Sequence, residues 1–539
     1  MKKIIFLLLL NLLLFSCARV GAPNGGTRDS LAPKFLGSNI DTTRLNVSRT
    51  VKELRLDFDE YVMLKDFNKN FNVSPPIKKI KKVIPSNLAN KYVLIQWEDT
   101  LQANTTYNFN FGNAIVDNNE SNPLPYFNFA FSTGDKIDDL FVSGTVKDAM
   151  TLIKENQTAK DNKMVVGLYK AGENLDYKQK PDYITKVDEE NYFELNFLPK
   201  GEFVIIAFDD ENQNSVYDAG KEKVSFLKEK ITLDSTSVRG LKLKLYPSKK
   251  VVKYKESKAI NGGLLMTFEG NPETVEVKSL SEELKDFKVT HAKRSDSVNI
   301  WFDAEKSNLG GTVSKQVKLS YFTPTISDTI SVSYKAVKEE FKLSNEAGNL
   351  IAPENNFVIN TSLPIENLNT SSWKLESDSI AQDFTAKISE KNPFKILVNS
   401  SFKPTKKYVL TIPKETVSSY YSSNDKSFQF QFEIDKPENY GSFTAVIKNK
   451  PTAKFWVELT NEKGEILYSQ FTNASEVSFK NLKPATYIAR IRVDNNGNGF
   501  WDEADFAQNI AAEDVYIFEK EINVRPLWEI KEDWELTNH

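Results

Sequence analysis

The 539-residue chain predicts an all-β protein made of several antiparallel sandwiches. Three observations carry this. Apolar and polar residues alternate with a period of two, and long helical periodicity is scarce. Turns rich in Asn, Asp, Gly and Pro recur roughly every 8 to 15 residues. Two long patterns appear twice along the chain.

The first element reads as a leader. Lys2 and Lys3 precede an apolar run, Ile4 to Phe15, broken by Asn11 and far short of the ~20 residues that span a bilayer. "LFSC" follows, and Cys17 is the sole cysteine, so no disulfide can form within the chain. The stretch resembles a bacterial lipobox, in which the cysteine is lipidated and becomes the mature N-terminus. Leu14 and Ser16 fit that pattern, and Phe15 is bulkier than the usual residue. An ordinary signal peptide with a chance cysteine is the alternative. With no second long apolar run, any membrane attachment is expected through lipid.

The strands follow from alternation. "KELRLDF" sets Leu54, Leu56 and Phe58 on one face and Arg55 and Asp57 on the other. "TYNFNFG" alternates Tyr107, Phe109 and Phe111 with Asn108 and Asn110, and "YFNFAFSTG" and "SFQFQFEI" do the same with phenylalanine. Each strand therefore has a dry and a wet face, as a sandwich requires.

The repeats order the units. "LQANTTYNFNF" (101–111) matches "FKPTKKYVLTI" (402–412), which aligns Tyr107 with Tyr408 at an offset of 301. At that offset Phe127, Phe129 and Phe131 fall on Phe428, Phe430 and Phe432. "LPKGEFVIIAFDDENQNSVYD" (198–218) matches "LKPATYIARIRVDNNGNGFWD" (482–502) at an offset of 284. An Ig-like unit followed by a loop-bearing unit thus occurs twice, with further β pattern between the copies.

Composition narrows the chemistry. Seventy basic and 73 acidic residues leave a net charge of -3, so no global field calls for nucleic acid. The two histidines are His291 and His539. A Ser-His-Asp or Cys-His arrangement would need His291, in "KVTHAKRSDSVNIWFD", which reads as a hairpin. Histidine-rich zinc sites are excluded by the same count.

The repeated loops are the candidate metal sites. Asp494, Asn496, Asn498 and Asp502 occupy positions 1, 3, 5 and 9 of "DNNGNGFWDEAD"; Gly499 stands at 6, Phe500 offers a carbonyl at 7, and Asp505 stands at 12. This resembles EF-hand or dockerin-type spacing, whose oxygen ligands suit calcium. The earlier loop sets Asp210, Asn212, Asn214 and Asp218 at the same spacing, with Ser215 in place of the glycine, Lys221 at position 12 and Glu222 beside it. The competing account is a hairpin held by Asx-turns. Either way the expected role is structural.

Other candidates are weaker. Carboxylates gather as Asp57, Asp59 and Glu60, and as Glu529, Glu532 and Asp533, but their alternation reads as solvated rather than as a hydrolase pair. Trp97, Trp301, Trp373 and Trp456 lie in strand-like runs and read as core. Trp501, Trp528 and Trp534 are the candidates for exposure. Glycan stacking would fall to Trp501 and Trp528, with packing onto the last unit as the alternative.

The runs "CARVGAPNGGTRDSLAP", "LRLDFDEYV", "NVSPP", "LQANTTYNFNFGNAIVDNNESN" and "FAFSTGDKIDDLFVSGTVKDA" resemble predicted outer-membrane lipoproteins of the Bacteroidetes that carry a bacterial, S-layer-type Ig-like domain. The loop-bearing units more loosely resemble prealbumin-like sandwiches. The resulting reading is a multidomain string. It comprises a lipoprotein signal peptide (1–16), a linker (17–33), an Ig-like domain (34–136), a prealbumin-like sandwich (137–247), a β-sandwich (248–336), a second Ig-like copy (337–436) and a second prealbumin-like copy (437–539). The expected function is a non-catalytic, lipid-anchored envelope protein, a structural or binding module with calcium stiffening two loops. The alternative is a carbohydrate-binding or adhesion component of a glycan-handling system. Partners would be the outer membrane, through the lipid, and a protein or glycan. Residues 18–21 lack the acidic run that often precedes export to the outer face, which favours the periplasmic side.

Overall fold

The computed structural model describes residues 29–152, 163–172, 176–337, 339–346 and 348–536. The leader and Cys17 lie outside them. Among the described residues no helix is long and apolar enough to cross a membrane, which says nothing about β-barrels.

The described strands fall into five groups. The first (35–132) pairs Phe35–Ser38, Glu53–Leu64, Asn90–Trp97 and Ile80–Ile84 in one sheet, and Asn72–Ser74, Thr106–Gly112 and Phe127–Ser132 in another. Leu54, Leu56, Phe109, Phe111 and Phe131 fill the space between them and are fully buried. The dry faces read from alternation therefore meet as expected. Burying each such side chain is worth roughly 1.5–3 kcal/mol.

The second group (140–245) and the fifth (441–535) share an architecture. In each, the first strand pairs in parallel with the last: Leu140–Asp148 with Val238–Leu245, and Gly441–Lys448 with Glu529–Glu535. The third group (253–334) and the fourth (343–434) have their own cores. Trp301 ends a strand of the third and is buried in the core of the fourth, 6.0 Å from Phe394.

The 301-residue offset is visible in three dimensions. Tyr107 pairs across the sheet with Phe131, and Tyr408 with Phe432. Both pairs stack, at 5.9 Å and 5.6 Å between centroids. The Tyr107 hydroxyl accepts the Gln102 N–H at 2.8 Å, and the Tyr408 hydroxyl accepts the Lys403 N–H at 2.8 Å. A buried phenol in each unit thus ties down the backbone five residues upstream.

Two features exceed the sequence reading. The wet face of Thr106–Gly112 is not open to solvent, because Asn108 is only 8% exposed. Strand Tyr192–Leu198 of the second unit lies against it, and Tyr183–Lys186 lies against the neighbouring strand Asn72–Ser74, where the Ile184 N–H donates to the Ser74 hydroxyl. The fifth unit also returns to the second. Phe506 packs among Tyr177, Tyr217 and Phe226, and Ala504 exchanges backbone hydrogen bonds with Pro247 and Lys249.

Candidate functional site

Each Asp/Asn loop leaves the end of a long strand. Gly201–Asp209 runs into the first and Ala485–Val493 into the second, and each chain returns on a short antiparallel partner, Val224–Phe226 or Val515–Ile517. The buried first aspartate closes each loop. Asp210 accepts the N–H groups of Asn214 and Ser215 at 3.0 and 3.1 Å. Asp494 accepts those of Asn498 and Gly499, both at 3.0 Å. The third position also repeats, since the Asn212 amide donates to Asp218 and the Asn496 amide to Asp502, each at 2.6 Å. The structure thus brings Asp494, Asn496, Asn498 and Asp502 together, and likewise Asp210, Asn212, Asn214 and Asp218.

Position 12 stands apart from the other four. Asp505 turns away to the Gln508 N–H and a backbone pair with Ile510. Glu513 takes its place, accepting the N–H groups of Asn496 and Asp502 at 3.1 and 2.9 Å. In the first loop Glu222 does the same for Glu211 and Asp218, at 3.1 and 2.8 Å. Glu222 lies 4 residues beyond Asp218, whereas Glu513 lies 11 beyond Asp502. That difference of seven is an insertion in the second loop, and it carries Phe506.

The backbone is also shared. Gly497 and Gly499 adopt positive φ of 73° and 81°; Gln213 and Ser215, at the matching positions, adopt 58° and 61°. Non-glycine residues reach this region only at some cost. Electrostatics differ between the copies. Burial raises Asp210 above the usual aspartate range, and it pushes Glu222 up to about 7. Burial raises Glu513 as well. At Asp502 burial is outweighed by the Asn496 and Asn498 amides and by Arg294, so its carboxyl sits low. Arg294 comes from the third unit. It donates to Asp502 at 2.8 Å and lies 4.6 Å over the Phe500 ring.

Calcium takes six to eight oxygens, and these side chains are of the right type. Their oxygens already accept backbone N–H groups, so the loops can close by themselves. Among the described residues no three His, Cys, Asp or Glu side chains converge as a metal-holding group.

The other candidates are placed as follows. Trp501 is half-buried and its Nε1 donates to the Glu513 carbonyl at 3.1 Å, so it braces the loop rather than offering a platform. Trp528 is 48% exposed, with Arg525 4.9 Å over its ring. His291 sits in a hairpin, its Nε2 donating to the Ser295 carbonyl at 3.0 Å. Asp57 pairs with Arg55, and Asp533 with Lys448.

Residues 29–133 match the model of the bacterial Ig-like domain. No curated protein matches the chain. Among solved structures, the S-layer protein rSbsC(31-844) is 12% identical over 92% of this chain and 67% of its own, with a TM-score of 0.15. A Bacteroides ovatus mixed-linkage glucan utilization locus protein, SGBP-B, solved with a mixed-linkage heptasaccharide, is 9% identical over 72% of this chain and 97% of its own, with a TM-score of 0.20. The Bacillus anthracis TIE protein is 11% identical over 95% and 76%, with a TM-score of 0.13. At these scores the likenesses carry no argument about function.

Proposed function

We propose that the chain is a non-catalytic envelope module, held to the outer membrane by a lipid on Cys17, periplasmic side favoured, that presents rigid sandwiches to a partner. The observation that carries this is the use made of the loop carboxylates. Asp210, Glu222, Asp494 and Glu513 spend their oxygens on their own backbone, which fits a structural joint. Calcium, if bound, would be held by the Asp and Asn of each loop with Glu222 or Glu513, and would stiffen it. The Bacteroidetes lipoprotein resemblance supports the anchor. Fractionation of cells making the wild type and Cys17→Ser tests it. The wild type is expected in the outer-membrane fraction and the variant in the soluble one; a variant that stays with the membrane contradicts lipid attachment. A second reading, glycan binding at an exposed aromatic, keeps Trp528, whose ring is about half open.

A further inference from the structure

The second and fifth units share an architecture but differ at one edge. In each, a four-strand path of the larger sheet begins on an edge strand, Tyr183–Lys186 in the second unit and Ile466–Thr472 in the fifth. The two edges share a register. Ile184 stands opposite Gly167, which stands opposite Ile206. Ser469 stands opposite Glu458, which stands opposite Arg490, and Ile206 and Arg490 are related by the repeat offset of 284. Ser469 is therefore the counterpart of Ile184.

The first of these edges is capped and the second is bare. The Ile184 N–H points out of its sheet and donates to the Ser74 hydroxyl of the first unit at 3.2 Å. Among the described residues no strand pairs beyond Ile466–Thr472. Its Ile466, Leu467 and Phe471 are 45%, 49% and 44% exposed. A bare edge offers alternate N–H and C=O groups to another strand, and proteins commonly blunt it with charge. Lys81 and Lys82 do this on Ile80–Ile84, and Lys253, Lys255 and Lys258 on Lys253–Ile260. In the fifth unit the edge of the smaller sheet, Glu476–Leu482, carries exposed Glu476 and Lys480. The Gln470 amide also donates to its Ser478 carbonyl at 2.7 Å. Ile466–Thr472, "ILYSQFT", has no charged residue, no proline and no glycine.

We infer that Ile466–Thr472 is a self-association strand, which pairs antiparallel with the same strand of a second copy across a two-fold axis at Ser469. Self-complementarity selects a second copy as the occupant. Ser469 is the central residue of the strand, so the axis sets Ser469 on Ser469 of the second copy and Leu467 on its Phe471. Small side chains meet on the axis, apolar ones meet on either side of it, and no like charges are brought together. The Ser469 N–H points outward, as that of Ile184 does, so the two serines can exchange both backbone hydrogen bonds. Phe471 is already held for docking, because its ring stacks on Trp456 at 4.4 Å with Lys454 5.6 Å away. An anchored aromatic loses little side-chain freedom on association. A two-fold contact closes on itself, so the edge is consumed in the dimer and does not propagate into fibres. The pairing uses neither the Asp/Asn loops nor Cys17.

Two measurements test it. Cys17 is the sole cysteine, so a cysteine at 469 is a specific reporter. Opposed residues of a hydrogen-bonded antiparallel pair have Cα atoms about 5.5 Å apart, within disulfide reach. Cells making full-length Ser469→Cys are mildly oxidised and run on a non-reducing gel, with the wild type as control. Ser478→Cys, exposed on the charged edge of the smaller sheet, measures random collision. Ser469→Cys is expected to give roughly tenfold more covalent dimer than Ser478→Cys. Sedimentation equilibrium of the full chain in density-matched detergent supplies the second measurement. The wild type is expected to dimerise as concentration rises. Ser469→Lys, which sets two lysines face to face, is expected to stay monomeric with an unchanged melting temperature, since Ser469 is exposed. Four results would overturn the inference: equal cross-linking of Ser469→Cys and Ser478→Cys; a wild type that stays monomeric; a Ser469→Lys protein that dimerises like the wild type; or Ser469→Cys trapped on a different protein, which would assign the edge to a foreign strand.

Discussion

The ring centroid of Phe506, in the fifth unit, lies 4.4 Å from that of Tyr177 in the second. Phe506 is buried, and it sits in a shared cluster with Phe208, Tyr217 and Val224. The seven-residue insertion in the second loop therefore works as a plug that joins two copies of one unit. Phe506→Ala should cost roughly 3–5 kcal/mol, the usual range for emptying a buried phenylalanine site. Because the contact spans units, the radius of gyration from small-angle scattering should also rise. An unchanged radius with unchanged melting would contradict the plug.

The twin tyrosines make a matched prediction. Tyr107→Phe and Tyr408→Phe each remove one buried hydroxyl that accepts a backbone N–H. Each should cost about 1 kcal/mol, because the Gln102 or Lys403 donor loses its partner. Chemical denaturation of the two variants should give similar losses in separate units. A loss in one and none in the other would break the equivalence.

Glu222 makes stability depend on pH. Its carboxyl has an ordinary value of 4.5 and is pushed up to about 7 by burial in the folded loop. The folded state then binds more protons than the unfolded state between those values. This group's contribution is fully present below about 4.5 and is lost as pH rises through about 7. In calcium-free buffer, Glu222→Gln should flatten the fall in denaturation midpoint across that window. Parallel slopes for the two proteins would show that Glu222 does not titrate there.

How much of this was legible varies with the range of the interaction. The spacing of Asp494, Asn496, Asn498 and Asp502 could be read directly, because those bonds run to backbone four or five residues away. The role of Glu222 was legible for the same reason, and that of Glu513 was not, because the insertion moved it out of reach of any local spacing rule. Alternation told which face of "TYNFNFG" is dry, yet it carries no information on what covers the other. Asn108 and Asn110 therefore read as solvated, although the second unit lies over them. Trp501 looked exposed because it sits in a polar loop, whereas its indole N–H is spent on Glu513. The signal that could have found Phe506 was an aromatic in the inserted segment, without a counterpart in the first copy.

The central claim is that the paired loops are structural joints. Calorimetric melting of the wild type and Asp494→Ala, each in calcium and in chelator, tests it most directly. Asp494 is buried and accepts two backbone N–H bonds, so its loss should cost roughly 2–3 kcal/mol. Calcium should raise the melting temperature of the wild type more than that of the variant. An Asp494→Ala protein that melts like the wild type in both buffers would contradict the claim.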